Sequence, residues 1–270
     1  MPSWKSPASI VPCGKCIVCR ENRIKDWYVR LMCESSYCDR SYTLTLTYDD
    51  EHLPEGANLC ISDVQKFFKR LRIGERYFSY KYYYSGEYGE DLGRPHYHVL
   101  IFLYFKEGMD SVAEFLKRDL YKKFKEKVCG AWSLGNVYFD FLSSKSVRYT
   151  LDYLQKDYFR WKEKKSVPPF QRMSNGLGLS YLLDNESSLV IKRFVSVGKV
   201  KHRIPKYWRR KSEALNNSLN EELVKRSENE DFKESDLYAR YKDKCDGIVA
   251  KAEQVRNNII QRKRIKRGRM

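Results

Sequence analysis

No stretch of this chain is apolar for long enough to cross a bilayer, nothing apolar follows Met1-Pro2-Ser3-Trp4-Lys5 as a secretory leader would require, and no segment repeats. A membrane-spanning chain, an exported one and a repeat array are therefore not expected. A cytosolic setting also implies that the eight cysteines are reduced or bound to metal rather than paired. Acidic residues are in short supply: 35 Asp and Glu stand against 52 Lys and Arg, a net charge of +17. That field attracts polyanions, nucleic acid first among them. Aromatics are not scarce; 21 tyrosines offer flat rings both for a core and for stacking on unpaired bases. At 270 residues the chain can bury a sizeable core.

Histidine is the scarcest chemistry-bearing residue. Of four, His96 and His98 stand two apart in Gly93-Arg94-Pro95-His96-Tyr97-His98-Val99-Leu100-Ile101-Phe102. Residues two apart on a β-strand point to the same face, so both imidazoles project side by side, half of a metal site. The run around them is apolar on both faces, which predicts a central strand.

The surrounding pattern gives an order of elements. Tyr42–Tyr48 alternates as a strand with one buried face. Ser62 and Asp63 are placed to cap a helix to about Arg72, with Val64, Phe67, Phe68 and Leu71 as its apolar stripe and Gly74 ending it. Residues 77–84 are β-prone and lead through a polar loop into the His96 strand. A helix over 110–127, a strand at Val137–Phe141 and a helix over 145–158 follow. The first six elements read β-α-β-β-α-β. This is the α+β, ferredoxin-like (split βαβ) order: one antiparallel sheet with helices on one side. Beyond Lys162 the signal weakens, and Pro168-Pro169 and Gly176-Leu177-Gly178 punctuate a region ending near Trp208.

If the strands over 77–87 and 95–103 form a hairpin centred near Asp91, Glu87 falls opposite His96. A carboxylate beside two imidazoles makes a three-ligand set with open positions, suited to Mg²⁺ or Mn²⁺ and able to polarise a phosphate oxygen. Glu90, Asp91 and His52 compete for the carboxylate or imidazole role, each equally readable as a solvated loop residue. On the 145–158 helix, Val147, Leu151, Leu154 and Tyr158 form the core-facing stripe, and Tyr149, Tyr153 and Lys156 lie on the opposite side. Two tyrosines one turn apart are not needed for packing there. A phenol is a poor nucleophile at its free pKa, and a metal-activated phosphate with a nearby Lys⁺ would supply the help it needs.

Cys13, Cys16 and Cys19 form C-x-x-C-x-x-C, and Cys33 or Cys38 can complete a structural Zn²⁺ site; free thiols or an iron–sulfur cluster are the alternatives. Residues 21–33 read as a helix with Trp27, Leu31 and their neighbours packing on the sheet, while Arg20, Arg23, Lys25 and Arg30 face either DNA or plain solvent.

Arg94-Pro95-His96-Tyr97-His98 resembles the His-hydrophobic-His motif of the HUH endonucleases. Tyr149-x-x-x-Tyr153-x-x-Lys156 resembles the paired-tyrosine motif of their replication initiators. Thr43–Asp50 is similar to the family's first motif, and Gly86-Glu87-Tyr88-Gly89 to its metal-proximal glutamate segment. Pro12-Cys13-Gly14-Lys15-Cys16-Ile17-Val18-Cys19-Arg20, with Gly176-Leu177-Gly178 and Ile204-Pro205-Lys206-Tyr207, resembles the initiators of microviruses, particularly the gokushovirus branch. Where the family commonly has a lysine just before the second tyrosine, this chain has Asp152, leaving Lys156 to assist.

The resemblance implies an origin-specific single-strand DNA endonuclease and joining enzyme that starts rolling-circle replication of a phage genome in the cytoplasm of its bacterial host. Tyr149 or Tyr153 would attack the scissile phosphate, leaving a 5′-phosphotyrosine and a 3′ end for host helicase and polymerase; Arg20, Arg94 and Arg148 would meet the DNA. The chain then divides into a Cys-rich segment at 1–40, an HUH core at 41–160, an accessory region at 161–210 and a basic, helical or disordered tail at 211–270. Other HUH branches (plasmid initiators, relaxases), a non-catalytic single-strand-binding protein displaying aromatics on its sheet, and a cysteine-metal transcription factor are the competing readings.

Overall fold

The computed structural model describes residues 17–89, 93–106, 119–156 and 167–229. The chain divides into two compact units, Ile24–Leu215 and Met1–Arg23 with Asn216–Met270. Of the second, the described parts are the start of α1 (Ile17–Tyr37) and most of α7 (Glu213–Asn229).

The first unit is built on a sheet whose strands follow from alternation. In β1 (Arg40–Tyr48), Tyr42, Leu44, Leu46 and Tyr48 are buried while Thr43, Thr45 and Thr47 are half-buried on the other face. β2 (Phe78–Tyr88) and β3 (Pro95–Phe105) follow, then β4 (Gly135–Phe141) and the short β5 (Phe170–Met173). The sheet order is β4-β1-β3-β2-β5, antiparallel throughout. The His strand β3 is central, as its two apolar faces require. β2 runs one residue past the 77–87 of the hairpin reading, because Tyr88 still pairs with Pro95. β5 was not legible as a strand; it is four residues long and lies on the far edge.

α2 (Ile61–Arg72) and α3 (Leu120–Ala131) cover one face of the sheet. Val64, Phe67, Phe68 and Leu71 of α2 form the expected stripe, packed with Phe124, Val128 and Ala131 of α3 on Leu44, Leu46, Tyr97, Val99 and Ile101. α3 extends beyond the expected end at 127, because Val128, Ala131 and Trp132 still bury into this core; the expected start at 110 lies outside the described residues. The cap of α2 differs from expectation. Cys60 stands at the cap position without a side-chain capping bond, and the turn is held by tertiary contact. The Tyr97 hydroxyl accepts from the Cys60 N–H at 2.6 Å and lies 3.0 Å from its carbonyl. Asp63, the expected capping partner, accepts instead from the Tyr48 hydroxyl at 2.9 Å.

The expectation of helices on one side holds for α2 and α3 and fails for the whole sheet. α1, which extends beyond the expected 21–33, and α4 (Ser144–Lys156) close the opposite face. There Tyr28 and Leu31 of α1 and Val147 and Leu151 of α4 pack on Tyr83, Leu100 and Phe102, with Leu177. Leu177 belongs to Gly176-Leu177-Gly178, which leads into α5 (Leu179–Lys192). Gly178 has φ +75°, and a Cβ there would press on the Arg30 backbone at 3.0 Å, so the glycine permits this docking on α1. A hairpin of β6 (Val195–Val197) and β7 (Val200–His202) and the short helix α6 (Lys206–Lys211) complete the unit. Among the described residues no helix is long and apolar enough to cross a membrane.

Candidate active site

One end of the α1/α4 face turns from apolar to polar. Register places Glu87 of β2 opposite His96 of β3, and Ser85 opposite His98. On the other side Thr47 and Thr45 of β1 flank the same two histidines. All six side chains therefore project to one face. The hairpin expectation for Glu87 is met to the residue.

His98 and Glu87 are both buried, and the His98 Nε2 lies 2.6 Å from a Glu87 carboxyl oxygen. The Nδ1 on the ring's other edge lies 3.2 Å from the Thr45 hydroxyl. With the Glu87 carboxyl as acceptor, Nε2 carries the ring proton and Thr45 donates to Nδ1. Burial pushes the His98 pKa down to about 4, so the ring is neutral near pH 7. His96 is half-buried and its Nδ1 lies 2.7 Å from the Arg94 carbonyl. That bond makes Nδ1 the donor and leaves Nε2 as the lone-pair nitrogen, the orientation that metal-ligating imidazoles take. Burial, chiefly, also lowers the His96 pKa. Gly89 makes room: a Cβ there would stand 2.9 Å from the His96 ring.

α4 brings the tyrosine. Val147, Thr150 and Leu151 are buried against the sheet, and the Ser85 hydroxyl donates to the Thr150 carbonyl at 3.4 Å. This rotation leaves Tyr149 at the rim, 51 % exposed, its ring edge-on to His98 at 5.3 Å between centroids. Tyr153 stands one turn further along α4 and Lys156 in its last turn. Asp152 is exposed. The side chains of Leu154, Tyr153 and Lys156, and Tyr158 altogether, lie outside the described residues.

The remaining expected residues are placed as follows. Arg94 is half-buried; its guanidinium pairs with Asp50 at 2.5 Å and donates to the Tyr48 carbonyl at 3.0 Å, tying the start of β3 to the end of β1. Arg148, beside Tyr149, lies over the Tyr28 ring at 4.5 Å. Arg20 is half-buried in the first turns of α1. Arg30 corrects the reading of a DNA-facing or solvated side chain. It is buried, sandwiched between the Trp27 and Tyr207 rings at 4.0 and 3.9 Å, and donates to the Leu177 carbonyl. Desolvation lowers its pKa to about 10. His52 pairs with Asp49 at 2.7 Å in the loop after β1, in line with the loop reading. Glu90, Asp91, Cys13 and Cys16 lie outside the described residues.

The zinc quartet meets an obstacle. Cys19 and Cys33 lie on the same helix, nearly four turns apart, about 21 Å of helix at the standard rise, and one tetrahedral zinc cannot hold both. Among the described residues no group of three or more His, Cys, Asp or Glu is gathered as a metal cluster. For Mg²⁺ or Mn²⁺ the donors at the rim fit in kind: one carboxylate and two imidazoles on one sheet face, with His98 and Glu87 already in contact.

Sequence reasoning missed Thr45, although β1's alternation already put its hydroxyl on the His98 face. It also missed the Glu34 hub. This buried carboxyl meets Lys81 at 2.7 Å, the Tyr104 hydroxyl and the Gly178 N–H at 2.5 Å, and its partners are too far apart in sequence to signal one another.

Residues 41–158 match the family of the replication-associated protein ORF2/G2P. Over 224 residues the chain is 32% identical to the Replication-associated protein ORF2 of Spiroplasma virus 4, covering 75% of this chain and 68% of that one. The chain belongs to this replication-associated family. It is also 36% identical over 154 residues to the Replication-associated protein VP4 of Bdellovibrio phage phiMH2K, covering 54% of this chain and 48% of that protein. With the Replication-associated protein ORF4 of Chlamydia phage 1 it shares 27% identity over 215 residues, 74% of this chain and 52% of that protein. The chain thus spans about two thirds of the first relative's length and about half that of the other two. No solved structure matches it. The span matched to the ORF2/G2P family runs from the start of β1 to just past α4 and contains the His pair, Glu87 and Tyr149.

Proposed function

We propose that this protein is an origin-specific single-strand DNA nickase and joining enzyme of the HUH kind that initiates rolling-circle replication of a small phage genome. The observation that carries this reading is Tyr149: an exposed phenol on a packed helix, edge-on to a buried imidazole that is hydrogen-bonded to a carboxyl. The sheet order β4-β1-β3-β2, with α2 and α3 on one face, supports the ferredoxin-like arrangement named for this class.

In the proposed reaction the Tyr149 oxygen bonds to the scissile phosphorus and the P–O3′ bond breaks. The phenol gives up its proton as it attacks, the 3′ oxygen takes up one proton in return by way of solvent, and it leaves as a hydroxyl from which a host polymerase extends. The product is a 5′-phosphotyrosine. Tyr153, one turn on, would cut the regenerated origin, and the released 3′ end would displace the first tyrosine to close a circle. Alternation needs little motion, since residues four apart on a helix are about 6 Å apart. Glu87, His96 and His98 would hold Mg²⁺ or Mn²⁺, which when bound supplies charge neutralisation at the phosphate. The chain's own contribution is to keep His98 neutral by burial, to place the Thr45 hydroxyl where it can accept the ring proton from Nδ1 once Nε2 turns from Glu87 to the ion, and to present the phenol at the solvent boundary.

A single-strand reader that stacks bases on its sheet is the second reading: the rings of Tyr83, Tyr84 and Tyr97 are buried, but Tyr138 of β4, paired with Thr45, is exposed. The decisive test is cleavage of circular single-stranded phage DNA with Mn²⁺, scored on a denaturing gel for a covalent protein–DNA adduct. Wild type should give an adduct that EDTA abolishes. His98→Ala should lower the yield at least about 100-fold, on the scale of lost electrostatic stabilisation of a transition state. The Tyr149→Phe, Tyr153→Phe double variant should give none. DNA binding without an adduct on any origin-containing circle, indifferent to metal, would leave a binding protein on this fold.

A further inference from the structure

From Arg193 to Lys211 the chain carries eight Lys and Arg and no Asp or Glu. This segment is the β6–β7 hairpin and α6, and it is far more basic than the sheet it follows. Lys199 and Lys201 are exposed on the hairpin, and Lys206 and Arg210 are exposed on α6. The hairpin is not loosely attached. His202 packs its ring on Tyr28 of α1 at 5.6 Å, and Arg203 pairs with Asp26 at 2.8 Å, so β7 is held against α1 at two successive residues.

Tyr28 is also where the hairpin meets the candidate nucleophile's helix. Arg148 lies over the same Tyr28 ring at 4.5 Å, and Arg148 is the chain neighbour of Tyr149. Arg148 and Lys25 both sit close enough to depress the His202 pKa, after burial. His202 and Arg148 thus meet on the Tyr28 ring, with Lys25 of α1 close to His202, and Arg148 immediately precedes the phenol. Gathering like charges costs free energy in the isolated protein, and a polyanion removes that cost.

We infer that the β6–β7 hairpin, with Lys25 and Arg148, is a cradle for the phosphates of single-stranded DNA flanking the nick and delivers the strand to Tyr149. The inference deepens the nickase reading and rests on it for the word nick; the binding surface stands on the charge and geometry alone. Lys199 and Lys201 supply point charges to the backbone, which are sequence-independent contacts. They are positioning residues.

The test uses a fluorescein-labelled single-stranded oligonucleotide of mixed sequence, titrated with full-length protein across a range of salt. Lys199→Gln, Lys201→Gln should lower the slope of log affinity against log salt by about 1.4, from ~0.7 per lost phosphate contact, and weaken binding about 25-fold at ~0.1 M salt. A matched variant on the opposite layer, Lys122→Gln, Lys123→Gln in α3, should change neither. An unchanged slope in the hairpin variant, or an equal loss in the α3 variant, overturns the assignment. Where wild type forms an adduct, the hairpin variant should raise the KM for the origin strand with little change in kcat. If wild type binds but forms no adduct, the nickase reading fails while the binding titration still judges the hairpin.

Discussion

The two faces of the sheet are made by the same strands and do opposite things. On one, Tyr42, Leu44, Val99 and Ile101 meet α2 and α3, and the polar atoms that enter are spent on architecture: the Tyr97 hydroxyl holds the first turn of α2 and bonds Tyr48 at 3.1 Å. On the other, Leu100 and Phe102 meet α1 and α4, but the core stops at His98 and the remaining strand carries Glu87 and His96 to a rim. The period-two alternation of β3 does the sorting, since His96 and His98 flank Tyr97. A motif read as His-Tyr-His is thus two functions interleaved: a structural phenol facing one way and two imidazoles the other. On the first face the Tyr97 and Tyr48 hydroxyls are partnered to fix a helix; on the second, Glu34 and Arg30 tie segments together, and only the rim holds Glu87 and His98 beside the exposed Tyr149 phenol.

Truncations beyond the rim should break this contrast in stability rather than chemistry. Ile101→Ala on the first face and Leu100→Ala on the second remove side chains with no exposed surface, and each should cost about 2–5 kcal/mol. Denaturant midpoints measure this, and adduct yield per folded molecule should be unchanged in both. A smaller loss should follow Tyr97→Phe, which strips the Cys60 N–H and the Tyr48 hydroxyl of a buried partner; about 1–3 kcal/mol is expected. Its adduct yield at a temperature where it is folded should equal wild type. A hundredfold loss of adduct in folded Tyr97→Phe would mean that the two faces are not separable.

The parts legible in the sequence are those set by short-range periodicity. The α2 stripe, the alternation of β1, the central place of β3 and the Glu87–His96 register all follow from spacing within one or two elements. On α4, Val147 and Leu151 inward with Tyr149 at the rim was readable from the 3.6-residue period alone. What was not legible depends on chain separation. Arg30 looks like any helix-surface arginine until Trp27, Tyr207 and the Leu177 carbonyl arrive from distant segments. Ser62 and Asp63 are the cap that local sequence offers α2, because capping is usually local, and here Tyr97 of β3 holds the turn instead. β5 was too short for alternation to register. The packing of Trp27 and Leu31 of α1 on the sheet was readable from the sequence, and only the face they cover was not.

The finest expected effect concerns how dry the second layer is away from the rim. Cys33 lies on α1, buried, and Cys38 just after it packs against the Tyr28–Phe102 cluster. Burial pushes both thiols up to about 12, with Glu34 nearby adding to the rise. The sign follows directly: the native state holds these protons above the pH at which an unfolded thiol releases them. Their contribution to stability is complete below about pH 9 and is lost as pH climbs toward 12. The thiolate is the reactive form, so at pH 8.5 only about one molecule in several thousand presents it at either site. Iodoacetamide at that pH should therefore modify exposed Cys129 in the native protein and reach Cys33 and Cys38 only when denaturant opens the fold, as read by peptide mass spectrometry. Native labelling of Cys33 at the rate of Cys129 would show that the layer under α1 is wet along its length, and the division between a dry core and a polar rim on that face would go with it.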